Sequence, residues 1–542
     1  MKRTILILGA GVMQLPAIRA ARRLGLYVIV ADGNREAVGI READEFLPVD
    51  LKDHETMASA AEAIRERRGL HAAFTAGTDF SSTVAHVCDR LGLPGTTYEA
   101  ALNATDKFRM RGVLRDAGVA VPDFALLDAE EIEAGRYDAV REAVALPVVV
   151  KPVDSMGARG VVRADSWAEA ERFARDAVAF SRSGRVVVEG YIEGPEFSLD
   201  AIVYDDDVQI TGVADRHIRF PPYFIEVGHT IPTGASADVR RRVEAEFVRA
   251  IRALGIGPGA AKGDVKYSSA GPVIGEIAAR LSGGYMSGWT YPLSSGVPLS
   301  ELAIRVALGE APPRATPRWA RTSAERAIVS IPGVLRKLRG VTEARAVPGL
   351  EELFVTRSPG DVMRFPRNNV EKAGNAIATA ATREGASAAA ERAVSLVEAV
   401  LEPGDERTDA FLFGDPGDRT PPENKHRAFD VEHPAAEDAM RGGMGVRRRP
   451  AATRASTRAQ GERGRRPTVV VPESLAAYDG RDWSYRTIRE SLDRLESTRA
   501  CRVRFTPSPA QASDPLSRLV CSAIVKGGLQ GARYALDTHG RS

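Results

Sequence analysis

Apolar and polar positions alternate in blocks through the first hundred residues. "TILILGAG" is an unbroken apolar run ending in glycines. After it come a helical pattern in "MQLPAIRAARRLG", a second run in "YVIVAD", a helix in "HETMASAAEAIRERRG", the short run "AAFTAG" and a helix in "STVAHVCDRLG". Strand-length apolar runs between 3.6-residue patterns predict a parallel sheet covered by helices on its faces. A helical stretch over Asn103–Gly118 follows, and "VAVPDFALL" opens a new unit.

From Pro147 the pattern becomes strand, glycine-rich loop, strand, helix and strand, through "PVVVKPVDSMGARGVVRADSWAEAERFARDAV" and "GRVVVEGYI". Two antiparallel pairs are predicted beyond it. One is "GPEFSLDAIVYDDDVQITGVADR", turning at Asp205 to Asp207; the other is "KGDVKYSSAGPVIGEIAAR", turning at Ser268 to Pro272. Between them "DRHIRFPPYFIEVGHTIPTG" reads as an irregular loop rich in charge and aromatic rings. Residues 321–402 read as a further α+β unit, with strands near "ERAIVSIPG" and "AGNAIATAAT" and a closing helix "SAAAERAVSLVEAVLE".

The pattern is then lost. Residues 403–440 are rich in Asp, Glu and Pro, and Arg441 to Arg466 hold nine arginines against one acid, Glu462. Such a stretch buries too little apolar surface to offset its ordering entropy, so 403–466 is expected to be a disordered linker and 467–542 a small appended domain.

At 542 residues the chain is multidomain. Its 44% hydrophobic and 27% charged content is that of an average globular protein, and a net charge of +2 gives no field to attract nucleic acid or membrane. Cys88, Cys501 and Cys521 are an odd number, widely spaced, which argues against a disulfide framework and for a reducing cytoplasm. The apolar part of "MKRTILILGAG" has a strand's length and runs into a glycine turn rather than a cleavage site, and no run of about 20 apolar residues follows.

"LILGAGVMQ" is a phosphate-compatible turn, with Asp32 placed to imitate a ribose-binding acid, but Gln14 stands where the third glycine of a dinucleotide turn belongs. Lys107, with Arg109 and Arg111 beside it, reads by itself as a solvated helix face. Lys151 is different: it ends an apolar strand beside the loop "SMGARG", whose backbone could wrap phosphate oxygens. The stretch Gly190 to Ile192 has backbone groups that could read an adenine edge, and Glu196 follows a glycine-proline turn. Asp264 and Glu276 oppose each other across a hairpin, where two carboxylates repel unless a cation lies between them, and hard oxygen ligands suit Mg²⁺. Arg280, one short step further, could pair with a carboxylate or a phosphoryl group. Arg216, His217, Arg219, Tyr223, Glu226 and His229 crowd the charged loop, which suggests substrate contact.

Taken in this order, Lys107, Lys151 with "SMGARG", "VEGYIEGPE", Asp264 and "GEIAARLSGG" resemble the ATP-grasp superfamily, and most of all its carboxylate-amine ligases. The likeness covers residues 1 to about 402. It implies an α/β and α+β fold in parts: a Rossmann-like preATP-grasp domain at 1–100, an ATP-grasp domain at 101–320 with its lid at about 120–188, and an associated C-terminal subdomain at 321–402. It implies further that Lys107 and Lys151 bind ATP phosphates beneath a closing loop containing Ser155, Gly157 and Gly160. Adenine would meet Glu189, Tyr191 and Ile192, and ribose would meet Glu196. Asp264 and Glu276 would hold Mg²⁺, for which Mn²⁺ could substitute. Arg280 and Lys151 would be catalytic, and Arg216, Glu226, His229 and Arg280 would face substrate.

The implied reaction activates a carboxylate as an acyl-phosphate and joins it to an amine. Small-molecule substrates and a homodimer are expected; membrane and nucleic-acid partners are not. One position departs from the pattern: many family members carry asparagine two residues after the metal glutamate, and here Ala278 stands there, leaving a second Mg²⁺ with fewer protein ligands. Three alternatives remain at this level: a bicarbonate-activating enzyme of the purine-synthesis or biotin-carboxylase kind, a Rossmann oxidoreductase, and a nucleotide-binding scaffold without turnover.

Overall fold

The computed structural model describes residues 2–414, 421–432, 466–507 and 514–540. The chain divides into two compact units, Met1–Glu325 with Ile377–Ser387, and Arg326–Ala376 with Ala388–Ser542.

The first unit begins with β1 (Thr4–Leu8), α1 (Leu15–Arg23), β2 (Tyr27–Ala31), β3 (Glu45–Leu47), α2 (His54–Arg68), β4 (Ala72–Phe74) and α3 (Ser81–Leu91). The strands form a sheet in the order β3-β2-β1-β4, with parallel pairings. The unbroken run of β1 has a simple cause: Ile5 and Ile7 pack into one core with Ala17 and Ile18 of α1, while Leu6 and Leu8 pack into another with Met57, Ile64 and Val87 of α2 and α3. All four are fully buried, each worth about 1.5–3 kcal/mol of transfer free energy.

Next come α4 (Tyr98–Thr105) and α5 (Lys107–Asp116). The helical stretch expected over Asn103–Gly118 is thus broken at Asp106, whose carboxylate caps α5 by accepting from the N–H groups of Phe108 and Arg109 at 2.9 and 3.0 Å. The cap makes Lys107 the first residue of a helix.

The segment expected to form the lid follows: β5 (Phe124–Asp128), α6 (Ala129–Glu133), α7 (Asp138–Ala143), β6 (Val148–Pro152), β7 (Val162–Ala164), α8 (Trp167–Val178) and β8 (Arg185–Gly190), with the strands in the antiparallel order β5-β8-β6-β7. The larger part contains β9 (Glu196–Tyr204), β10 (Asp207–Arg219), β11 (Ile225–Ile231), α9 (Ala237–Ala253), β12 (Gly259–Ser268), β13 (Gly271–Ala278), α10 (Tyr291–Ser295), α11 (Leu299–Ala307) and β14 (Thr322–Ile328). Its strands run in the order β13-β12-β9-β10-β11-β14. Both expected hairpins are present. The segment read as an irregular charged loop is instead mostly strand, with Arg216 pairing with His229 across β10 and β11. Its polar residues disguised it, because one face of this hairpin lines a cleft rather than a core.

In the second unit, strands Gly333–Arg339 and Glu398–Leu401 pair antiparallel. The expected closing helix stops at Leu396, and its last residues form the second of these strands. Residues assigned to the linker include a helix at Glu406–Phe413, with Phe411 and Leu412 buried; the arginine-rich segment 441–465 lies outside the described residues. The residues beyond it, expected to stand apart, pack within this unit. In the helix Pro515–His539, Arg533 reaches Glu398 at 2.8 Å and Gln530 reaches Ser330 at 2.8 Å.

Candidate active site

A cleft of about 850 Å³, part of it open to solvent, lies within the first unit, between the lid segment and the β9–β13 sheet. Lys107, Lys151, Ser155, Gly157, Glu189, Tyr191, Ile192, Glu196, Arg216, Asp264 and Glu276 all line it. Eleven residues scattered over 170 positions of sequence therefore meet in one place.

Local structure explains the convergence. The Lys107 N–H donates to the Val153 carbonyl at 3.0 Å, which fastens the start of α5 to the chain leaving β6. The buried Lys107 ammonium donates to the Ser155 carbonyl at 2.5 Å, and burial lowers its pKa, opposed by the nearby Glu276 charge. Lys151, on β6, donates to Glu189 of β8 at 2.6 Å. Met156, Gly157 and Ala158 have no hydrogen-bond acceptor for their backbone N–H groups among the described residues. Gly157, Ala158 and Gly160 lie at φ of 68°, 59° and 71°. A Cβ at Gly160 would come within 2.9 Å of Pro152, so both space and backbone require glycine there. A turn with unpaired N–H groups beside two lysines is a concave anion site.

Glu189 was expected at adenine, but its carboxylate is committed elsewhere. Arg111 holds it at 2.9 Å and Lys151 at 2.6 Å, with both carboxylate and guanidinium buried. Burial opposes the charge on Glu189, yet the two cations outweigh it and hold its pKa down at about 2. Beside it, the Tyr191 carbonyl and the Ile192 N–H have no partner among the described residues, and Phe224 and Ile218 supply apolar walls to the cleft.

Asp264 and Glu276 are direct cross-strand partners on β12 and β13. The cation between them is Lys262, which sequence reasoning missed: its ammonium contacts Asp264 and lies 3.5 Å from Glu276. The other Asp264 oxygen accepts from the Ser198 hydroxyl at 2.6 Å. Burial disfavours the Glu276 charge, but Lys262, Lys107 and Arg280 together lower its pKa far below the usual carboxylate range. Glu276 keeps 29% of its side chain exposed. Two opposed carboxylates in a phosphate-compatible cleft fit a hard divalent cation completed by phosphate oxygens and water.

Arg280 is buried; its guanidinium donates to the Leu281 carbonyl at 2.8 Å and approaches the Met156 sulfur at 3.7 Å, which ties it to the lid loop. Arg216 is engaged by three carboxylates: Glu196, Glu226 at 3.0 Å and Asp264 at 3.1 Å. The two groups assigned to ribose and to substrate are thus joined through one guanidinium. Beyond Glu226 lies the fully buried His229, 3.5 Å from Glu226 and 2.7 Å from Glu325. Burial disfavours its charge, but the two flanking carboxylates prevail and raise its pKa to about 9, so it is cationic at neutral pH. Charge alternates from Asp264 through Arg216, Glu226 and His229 to Glu325.

The nucleotide-like turn at the N-terminus has a structural explanation. Asp32 accepts from the Ala10 N–H at 2.7 Å, and the buried Gln14 side chain bonds both the carbonyl and the N–H of Ala76. Both residues close the turn from within. Lys262 and Arg111 carried a faint sequence signal: the first is two residues before Asp264 on the same strand face, the second four after Lys107 on the same helix face.

Lysines converging on a turn of unpaired N–H groups beside two opposed carboxylates suit the phosphates of a nucleotide. Residues 18–95 match the ATP-grasp N-terminal domain, 104–284 the ATP-grasp domain and 326–402 the L-amino acid ligase C-terminal domain 2. D-alanine--D-alanine ligase of Desulforudis audaxviator is 32% identical over 229 residues, 39% of this chain and 70% of the relative. Carnosine synthase 1 of Gallus gallus is 26% identical over 331 residues, 57% of this chain, which spans only 36% of that relative. The crystal structure of L-amino acid ligase from Bacillus licheniformis matches with a TM-score of 0.63 at 21% identity, covering 74% of this chain and 99% of that one. The chain belongs to the ATP-grasp superfamily, among its carboxylate-amine ligases. No helix among the described residues is long and apolar enough to cross a membrane.

Proposed function

We propose that the cleft binds ATP with its phosphates beneath the Ser155–Gly160 loop, activates the carboxylate of an amino acid, and joins it to the amine of a second small molecule. The observation that carries this reading is the convergence of Lys107, Lys151 and the Asp264–Glu276 pair in one cleft. Glu226, linked to that cleft through Arg216, leads to the buried His229–Glu325 pair. The amino acid class is supported by the match of residues 326–402 and by the names of the ligases above.

In the first step a substrate carboxylate oxygen attacks the γ-phosphorus of ATP, and the bond to the β,γ-bridging oxygen breaks to release ADP. Lys107, Lys151 and the loop N–H groups hold the phosphates, and Arg280 steadies the carboxylate and then the acyl-phosphate. Mg²⁺, or Mn²⁺ in its place, would be held by Asp264 and Glu276 and would screen the phosphate charge. In the second step the amine nitrogen attacks the acyl carbon; phosphate leaves with the C–O electron pair and the nitrogen loses a proton. Positioning and charge neutralisation suffice for phosphoryl transfer, so no protein nucleophile is needed. Arg159 of the lid loop reaches Asp79 at 3.3 Å, a contact suited to holding the lid shut against water. The three cysteines are free and buried, which suits a reducing, ATP-supplied compartment such as the cytoplasm.

A screen of ADP release with amino acids, dicarboxylates and bicarbonate, each with and without amine acceptors, tests the reading. Release is expected to require an amino acid, and Lys151→Ala is expected to cut it ~10²-fold or more with the circular dichroism unchanged. Release driven by bicarbonate alone, or a wild-type rate in Lys151→Ala, overturns it.

A further inference from the structure

We propose that the Lys262 ammonium takes the place of a second divalent cation at the carboxylate end of the cleft, so that each site loads a single Mg²⁺ with its nucleotide. The proposal rests on the nucleotide site described above and concerns how that site balances its charge.

Lys262 and Ala278 are direct cross-strand partners on β12 and β13, and the pair Asp264–Glu276 lies two residues further along the same ladder. Side chains two apart on a strand share a face, so all four point to one side of the sheet. The alanine contributes only a methyl group there. The lysine ammonium reaches Asp264 and comes to 3.5 Å from Glu276.

The lysine has little freedom to leave. Its side chain is 11% exposed, and on its other side it pairs in register with Asp200 of β9. Asp200 is itself fully buried, and its carboxylate is engaged by the Ser282 N–H at 2.8 Å and by the Ser282 hydroxyl. Acidic residues therefore stand at the register positions level with or next to Lys262 on both neighbouring strands.

Donor capacity points the same way. One Asp264 oxygen accepts from Ser198, and the other contacts both Lys262 and Arg216. Glu276 is left as the carboxylate with open coordination positions. Glu276, the Asp264 oxygen shared with Lys262 and Arg216, and the phosphate oxygens can complete a single octahedral cation; a second would lie against a fixed positive charge with few protein ligands left.

The test counts metal on the full-length chain, with Mn²⁺ as probe and a non-hydrolysable ATP analogue at saturation. Free Mn²⁺ is read by electron paramagnetic resonance, and bound nucleotide is measured in the same samples. The wild type is expected to hold one Mn²⁺ per bound nucleotide, Lys262→Met two, and Lys262→Arg, which restores the charge, one. Two Mn²⁺ per nucleotide in the wild type overturn the proposal, as does one in Lys262→Met with nucleotide still bound. Absence of bound nucleotide from the wild type overturns the site reading itself. Thermal melting of both variants checks folding, and Lys262→Gln, also uncharged and also expected to hold two Mn²⁺, replaces the methionine variant if that one melts early.

Discussion

Arg111 has no exposed side-chain surface, and its charge is balanced by a single carboxylate, Glu189, with the Gly275 carbonyl accepting a further bond at 2.7 Å. Removing one member of a buried ion pair strands the other. Arg111→Leu leaves Glu189 paired with Lys151 alone and its other oxygen buried without a donor, and is expected to lower stability by about 1–3 kcal/mol, measured by urea unfolding of the whole chain. A loss below about 1 kcal/mol would mean that the pair tolerates water. Sequence reasoning treated Arg109 and Arg111 alike, as a solvated face. That holds for Arg109, which pairs with Glu99 at 2.5 Å on the surface, but not for Arg111. Only the shared helix face with Lys107 separates them locally; their fates diverge because Glu189 of β8 pairs with Arg111. Lys151 was legible because it ends an apolar run beside glycines, and Lys262 was not, because a lysine on a half-polar hairpin looks like solvated surface.

At the scale of elements, the loop after β13 is held rather than free. Asp200 grips Ser282, and Gly284 sits at φ +60°, where an added Cβ would come within 2.7 Å of a Glu226 oxygen. Gly284→Ala therefore strains the backbone and displaces Glu226 from Arg216. The expected outcome is a larger rise in KM for the carboxylate substrate than in that for ATP, because Glu226 moves, together with a loss of stability of roughly 1–2 kcal/mol from the left-handed backbone. Equal losses for both substrates in steady-state kinetics would show that the loop serves the whole cleft. The two hairpins with short polar turns were legible because the turns at Asp205–Asp207 and Ser268–Pro272 interrupt clear runs. The β10–β11 hairpin was not: Arg216, His217, Glu226 and His229 place charge on positions that alternation alone would assign to core. That conflict between pattern and element falls at the candidate active site, where a functional face has to break the pattern that identifies a strand.

Across the whole molecule, the order of motifs carried more than any one of them. Lys107 alone is a surface lysine and Asp264 alone an acid in a hairpin; only their sequence along the chain identified the superfamily, and the fold brings them into one cleft. The organisation beyond residue 402 was less legible. A composition poor in apolar residues suggested a linker followed by a separate domain, yet the buried pair Arg533–Glu398 joins elements 135 positions apart within the second unit. Pairings at that separation leave no local periodicity to read. The central claim is that this cleft activates a carboxylate by phosphorylating it. The measurement that tests it most directly uses a substrate amino acid labelled with ¹⁸O in its carboxylate, with mass spectrometry of the released phosphate. Transfer of one ¹⁸O per turnover into phosphate, alongside an amide product, is the predicted result; unlabelled phosphate released at the same rate as product would contradict it.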